Sequence, residues 1–180
     1  MSGEKVLIHS CCAPCLCYPH KALEKEGFEV VAYWYNPNIH PFSEFQLRLN
    51  TLYKYQVETG IKIIYNENYD IFEWMEYTYP GWKNRDKEKR CTLCYEMRLI
   101  NAAEKAKELG IKYFTSTLLY SKFQYHDNIK KLGEKIAREK GVEFLYRDFR
   151  EGWKEGIKLS KEYNLYRQRY CGCIFSETYL

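Results

Sequence analysis

The chain has 180 residues, 46% hydrophobic and 29% charged, which is ordinary globular usage and excludes a disordered or fibrous class. At this length a single domain can bury enough apolar surface to fold without staples. Lys and Arg number 28 against 24 Asp and Glu, a net charge of +4 that permits a polyanionic partner without demanding one.

Lys5 to His9 reads as a short buried strand, followed by a Cys and Pro loop and a helical stretch from Tyr18 to Glu26 that Gly27 ends. A second strand, Phe28 to Tyr35, stops at Asn36-Pro37-Asn38. Ser43 is then expected to cap a helix with Phe45, Leu49 and Leu52 on one face, ended by Gly60. Ile61 to Tyr65 is a third strand. Residues 66–90 are polar and aromatic with a Pro80-Gly81 turn signal, and they read as an irregular insertion, a candidate lid.

From Cys94 a helix runs to Leu109, with Leu99, Ala103 and Ala106 on one stripe and Gly110 past its end. Lys112 to Leu119 is a strand, His126 to Lys140 a helix, Val142 to Phe149 a strand and Trp153 to Tyr163 a last helix. Strands alternating with helices predict a single-domain α/β fold. It has an open parallel sheet of about five strands covered on both faces, Rossmann-like or HUP-like, with sites beyond the C-terminal strand ends.

No apolar run approaches the roughly 18 residues of a membrane span. Cys11 and Cys12 follow Ile8 too closely for a secretory signal, so no membrane association and a cytoplasmic location are expected. In that reducing compartment the eight cysteines are expected to bind metal or cycle electrons. Cys11, Cys12 and Cys15 follow the first strand, Cys91-x-x-Cys94 is expected to open a helix whose N-terminus favours thiolates, and Cys171-Gly172-Cys173 lies near the end. Cys17 fits this pattern least.

Pairs so far apart in sequence suit a reactive centre better than a compact zinc ribbon. Cys11, Cys12, Cys91 and Cys94 supply the four thiolates that a 4Fe-4S cluster takes, although spacing alone leaves structural zinc open. Cys171 and Cys173 suit either a strained, labile dithiol pair, with Gly172 allowing the bend, or further metal ligation.

His9, His20, His40 and His126 are scattered, with no zinc spacing among them. Asn36, Asn38 and His40 lie at a strand end where substrates bind in this fold class, though a turn would use the same residues. Asp148 in Arg147-Asp148-Phe149-Arg150 is a candidate oxygen ligand or proton donor, or a carboxylate held between its arginines. Arg167, Arg169 and Tyr170 can pair with phosphates and stack on an extruded base. A phosphate-gripping loop after the first strand is disfavoured, because Cys11-Cys12-Ala13-Pro14-Cys15 lacks its glycines.

Five segments together carry a family resemblance over nearly the whole length. They are His9-Ser10-Cys11-Cys12-Ala13-Pro14-Cys15, Tyr35-Asn36-Pro37-Asn38-Ile39-His40-Pro41, Arg90-Cys91-Thr92-Leu93-Cys94, Arg147-Asp148-Phe149-Arg150 and Tyr166-Arg167-Gln168-Arg169-Tyr170-Cys171-Gly172-Cys173. The chain resembles the QueH family of epoxyqueuosine reductases. The resemblance implies two-electron deoxygenation of epoxyqueuosine in the anticodon loop of tRNA, giving queuosine, with an external electron donor. It also implies a 4Fe-4S cluster on Cys11, Cys12, Cys91 and Cys94 and a redox-active pair at Cys171 and Cys173. Cys15 with Asp148 is a candidate soft and hard pair for an additional mononuclear iron. The alternative is an RNA-binding module stabilised by zinc and without redox activity.

Overall fold

The computed structural model describes residues 3–178. Five strands, β1 (Lys5–His9), β2 (Glu29–Trp34), β3 (Lys62–Tyr65), β4 (Tyr113–Ser116) and β5 (Glu143–Phe144), form one parallel sheet. Their order is β3-β2-β1-β4-β5. Val6, Leu7 and Ile8 of β1 are fully buried, as a central strand covered on both faces requires. Helices α1 (Ala13–Lys25), α2 (Phe42–Thr59) and α6 (Trp153–Glu162) pack as one group, and α3 (Ile71–Lys83), α4 (Lys87–Glu108) and α5 (His126–Lys140) as another. A short α7 (Ile174–Glu177) follows.

This is the α/β architecture expected. The strand order reverses at β1, whose neighbours are β2 and β4, so a crevice opens beyond the C-terminal ends of β1 and β4. No helix among the described residues is long and apolar enough to cross a membrane.

Several boundaries differ from expectation for identifiable reasons. The first helix begins at Ala13 instead of Tyr18, because Cys12 caps it through its sulfur and Pro14 suits the first turn, where no N–H partner is needed. Pro41, not Ser43, stands at the N-cap of α2. The stretch expected to be irregular holds α3, because Asp70 accepts from the Phe72 and Glu73 N–H groups and Trp74, Thr78 and Gly81 bury one face. Pro80-Gly81 makes no turn there. Gly81 instead lets α3 approach α4, since a Cβ would fall 2.4 Å from the Arg90 nitrogen.

Asp86 caps α4 at Lys87, so Cys91 and Cys94 lie inside the helix and do not open it. The last two expected strands are shorter: β4 gives way to a 3-10 segment, Thr117–Tyr120, and β5 has two residues before the 3-10 segment Phe149–Gly152.

Candidate metal and redox site

The end of β1 turns directly into α1, and this corner gathers Cys11, Cys12 and Cys15 with their sulfur atoms all within 4.8 Å of one another. Cys12 Sγ accepts from the Cys15 N–H at 3.4 Å and lies 3.9 Å from Cys11 Sγ. The helix N-terminus that favours thiolates is therefore that of α1. From the end of β4, the Thr117 hydroxyl donates to Cys11 Sγ at 3.2 Å while accepting from the Cys11 N–H at 3.0 Å. Contacts from Cys12, Cys15 and Thr117 hold the Cys11 thiol well below its ordinary pKa despite burial. Burial raises Cys12, and contact with Cys11 and Cys12 raises Cys15.

His9 locks the floor of the crevice. Its Nε2–H donates to the Tyr35 carbonyl at 3.0 Å, leaving Nδ1 to accept from the Ser116 hydroxyl at 3.0 Å, which ties β1 to β2 and β4. Complete burial lowers its pKa to about 4 and keeps it neutral.

On α4, burial pushes the Cys91 thiol up to about 11 and also raises Cys94, whose sulfur accepts from the Trp74 indole N–H at 3.2 Å. One helical turn after Cys94, Arg98 is 1% exposed and donates to the Cys94 carbonyl at 3.0 Å. Burial opposes its charge, but Cys94, Cys171 and Cys11 facing it raise its pKa overall. No carboxylate pairs with it among the described residues. Arg48, equally buried, pairs with Glu44 at 2.6 Å and donates to the Cys171 and Tyr170 carbonyls at 2.8 and 3.0 Å.

A cavity of about 370 Å³ lies over these groups, lined by Cys11, Cys15, Cys91, Cys171 and Cys173 among others. Cys94 lines a smaller adjoining space of about 20 Å³ with Cys91, Cys171 and Cys173. Lys87, Arg90, Arg98 and Arg169 line the larger cavity and no Asp or Glu does. Cys91 and Cys94 thus stand outside the tight triad while facing the same crevice. All eight cysteines are free thiols, and Cys17 donates to the Ala13 carbonyl inside α1, away from the site.

The expected substrate residues divide. Arg169 and Tyr170 line the cavity, and Arg167 lines a smaller one beside Trp153. Asn36, Asn38 and His40 are buried; Asn36 and His40 tie the scaffold together, while Asn38 lines the smaller thiol space with its Oδ1 unpartnered. Asn36 donates to the Ser10 carbonyl at 2.8 Å. His40 accepts the Ile174 N–H at Nδ1, donates from its backbone N–H to the Gly172 carbonyl at 2.8 Å and packs edge-on against Trp74.

Neither the thiol triad nor either cavity lined by Cys15 includes Asp148. It is half-exposed, caps a 3-10 segment and forms an ion pair with Arg150 at 2.5 Å that holds its carboxyl below the usual range. Of its charged neighbours Arg150 pairs with it and Arg147 pairs with Glu26 across the fold, and it lines neither thiol cavity.

Sequence reasoning missed Arg48, Arg98, Trp74, Gln124 and the role of Gln168. Gln168 Nε2 donates to Cys12 Sγ at 2.9 Å, and Gln124 Nε2 lies 3.6 Å from Cys171 Sγ. A usable signal existed for two of them: Arg98 lies four residues after Cys94 on one helix face, and Arg48 four after Glu44.

The donor set fits an iron-sulfur cluster. Cysteine sulfurs face two buried guanidinium groups, one of which pairs with no carboxylate among the described residues. The Arg90 Nε beside Cys91 is buried without a hydrogen-bond partner, and side-chain N–H groups already point at sulfur.

A family model described as "Epoxyqueuosine reductase QueH" matches residues 6–179. The chain is 39% identical over 175 residues to "Epoxyqueuosine reductase QueH" of Dehalococcoides mccartyi, covering 97% of this chain and 93% of that one. Identity to the protein of the same description from Haemophilus influenzae is 36%, covering 96% and 71%. For that from Thermotoga maritima it is 35%, covering 95% and 89%. A crystal structure described as a predicted subunit of tRNA methyltransferase from Methanocaldococcus jannaschii superposes with a TM-score of 0.56 at 13% identity. It covers 88% of this chain and 75% of that one, a likeness of fold alone. With its thiol-lined crevice at the strand switch point and the family model matching almost from end to end, the chain belongs to the epoxyqueuosine reductase QueH family.

Proposed function

We propose that this chain reduces the epoxide of epoxyqueuosine in tRNA to the alkene of queuosine. Cys11, Cys12, Cys91 and Cys94 would hold a 4Fe-4S cluster, and Cys171 and Cys173 would form the redox-active pair. The observation that carries the reading is the composition of one crevice: cysteines from three segments and four cationic side chains, with no carboxylate among the lining residues. That environment suits an anionic cluster and a phosphodiester together. A cluster bound there would supply electrons one at a time.

The pair balances the reaction by itself. Two thiols give two electrons and two protons, the epoxide oxygen leaves as water, the alkene forms, and Cys171 and Cys173 are left as a disulfide that an external donor re-reduces. Cys171 is the exposed member, open to both substrate and donor, while Cys173 is buried behind it. Gln124 holds the Cys171 sulfur, and Arg48 holds the two carbonyls that precede Gly172. Arg169 at the rim offers a charge for an RNA phosphate. No mononuclear iron on Cys15 and Asp148 is included, since the Asp148 carboxylate is already paired with Arg150.

Anaerobic incubation with reductant and tRNA carrying epoxyqueuosine, read by nucleoside mass, tests the reading. The nucleoside should lose about 16 mass units, the mass of one oxygen atom. Colourless protein that contains zinc and leaves the nucleoside unchanged sinks it in favour of an RNA-binding module. Cys171→Ser with intact cluster absorbance should abolish turnover, and undiminished activity would remove the dithiol from the mechanism.

A further inference from the structure

The thiol crevice opens beside an aromatic surface that the reduction chemistry does not use. Phe123, between the 3-10 segment Thr117–Tyr120 and α5, lines the cavity yet is 82% exposed, which puts it at the rim. Its ring meets Trp153 edge-on, with centroids 6.2 Å apart, and Trp153 lines the same cavity.

Trp153 is held firmly from within. Tyr120, which is buried, stacks on it at 5.2 Å with planes 24° apart and donates its hydroxyl to the Trp153 carbonyl at 3.1 Å. Gly156 makes room for that hydroxyl, because a Cβ there would fall 2.2 Å from it. Lys122 Nζ lies 5.3 Å over the Trp153 ring. The result is a shelf, rigid on its inner side and bare at Phe123, with cations around it.

An exposed ring on a fixed support, flanked by cations and facing a cavity free of carboxylates, matches what a single-stranded nucleic acid presents. Bases stack on the ring and phosphates meet the lysine and arginine charges. The reacting group must reach the thiols on the cavity floor. A base at the rim therefore belongs to the next nucleotide along the strand.

Building on the reductase reading, we propose that Phe123 and Trp153 form a stacking site for the unmodified base adjoining the reacting nucleotide in an RNA loop. Stacking there keeps the loop splayed while the reacting nucleoside enters the crevice.

The probe is an anticodon stem-loop RNA carrying epoxyqueuosine, with 2-aminopurine replacing the base on its 3′ side. Binding to the anaerobically prepared protein should quench the 2-aminopurine fluorescence. Phe123→Ala should remove the quench and weaken binding about ten-fold or more, whereas Phe123→Trp should keep both. Visible absorbance of the Ala variant should match wild type, which excludes a folding defect.

An Ala variant that binds and quenches like wild type overturns the proposal, as does a wild-type protein that reduces this RNA without quenching it. Wild-type protein that quenches the probe but leaves the epoxide intact overturns the reductase reading while the stacking site stands.

Discussion

Gln168 reaches across 156 residues of chain to place its side-chain nitrogen 2.9 Å from Cys12 Sγ, and the same nitrogen lies 3.5 Å from Cys15 Sγ. Its oxygen is buried without a hydrogen-bond partner, while its side-chain nitrogen faces sulfur. Hydrogen bonds to cluster sulfur favour the reduced, more negative state and so raise the potential. Gln168→Leu should retain iron and sulfide while its reduction potential falls by on the order of tens of millivolts. An anaerobic redox titration followed by electron paramagnetic resonance checks it, and an unchanged potential would deny Gln168 this role.

Arg98 gives a prediction in which stability and metal binding move in opposite directions. In metal-free protein with neutral thiols its buried charge has no carboxylate, so Arg98→Met should leave that form as stable as wild type, or more stable by up to about 4 kcal/mol. The same change should impair cluster assembly, because the guanidinium that offsets the thiolates is gone. Chemical denaturation of metal-free protein and iron analysis after reconstitution measure the two effects.

His40 couples the tail to pH. Burial lowers its pKa from 6.5 to about 4, and its Nδ1 accepts from the Ile174 N–H, a role that protonation removes. The unfolded chain takes up this proton near pH 6.5 and the folded chain only near pH 4. The stabilisation is therefore present above pH 6.5 and is lost as pH falls through that window. Between pH 7 and 5 the loss from this group should be about 2 kcal/mol. His40→Gln should flatten that part of the pH dependence in denaturant titrations, and a slope equal to wild type would contradict the assignment.

Gly172 cannot be replaced cheaply. Its φ of +141° is one that side chains rarely adopt, and a Cβ there would lie 3.1 to 3.2 Å from Asn38, Arg48 and Ile39. Gly172→Ala should destabilise the docked tail by about 1–3 kcal/mol. Cys173, now buried, should react faster with maleimide, and turnover should fall with the pair displaced. Labelling rates equal to wild type would show that the tail tolerates the side chain.

The α/β alternation, the central strands and the cysteines after the first strand were legible because buried strands and capped helices leave a local periodic signature. Even so, local reading mistook residues 66–90 for a loop, since a helix carrying Pro80 and Gly81 has poor propensity and owes its stability to packing against α4. It also placed Cys91 and Cys94 at a helix start, overlooking Asp86 as the cap.

Which thiols lie nearest one another was not local information. Cys11, Cys12 and Cys15 close into a triad because the strand end and the helix cap form one continuous corner, whereas Cys91, Cys94, Cys171 and Cys173 reach the crevice only through the docking of α4 and the tail. The sequence by itself determined the kinds of atom available and the open parallel α/β class of the sheet. The tertiary structure decided which atoms face each other, pairing Asp148 with Arg150 and bringing Arg98 and Gln168 to the sulfurs. The reason is that hydrogen bonds and electrostatic forces act over a few ångströms of space, whatever the separation of their residues along the chain.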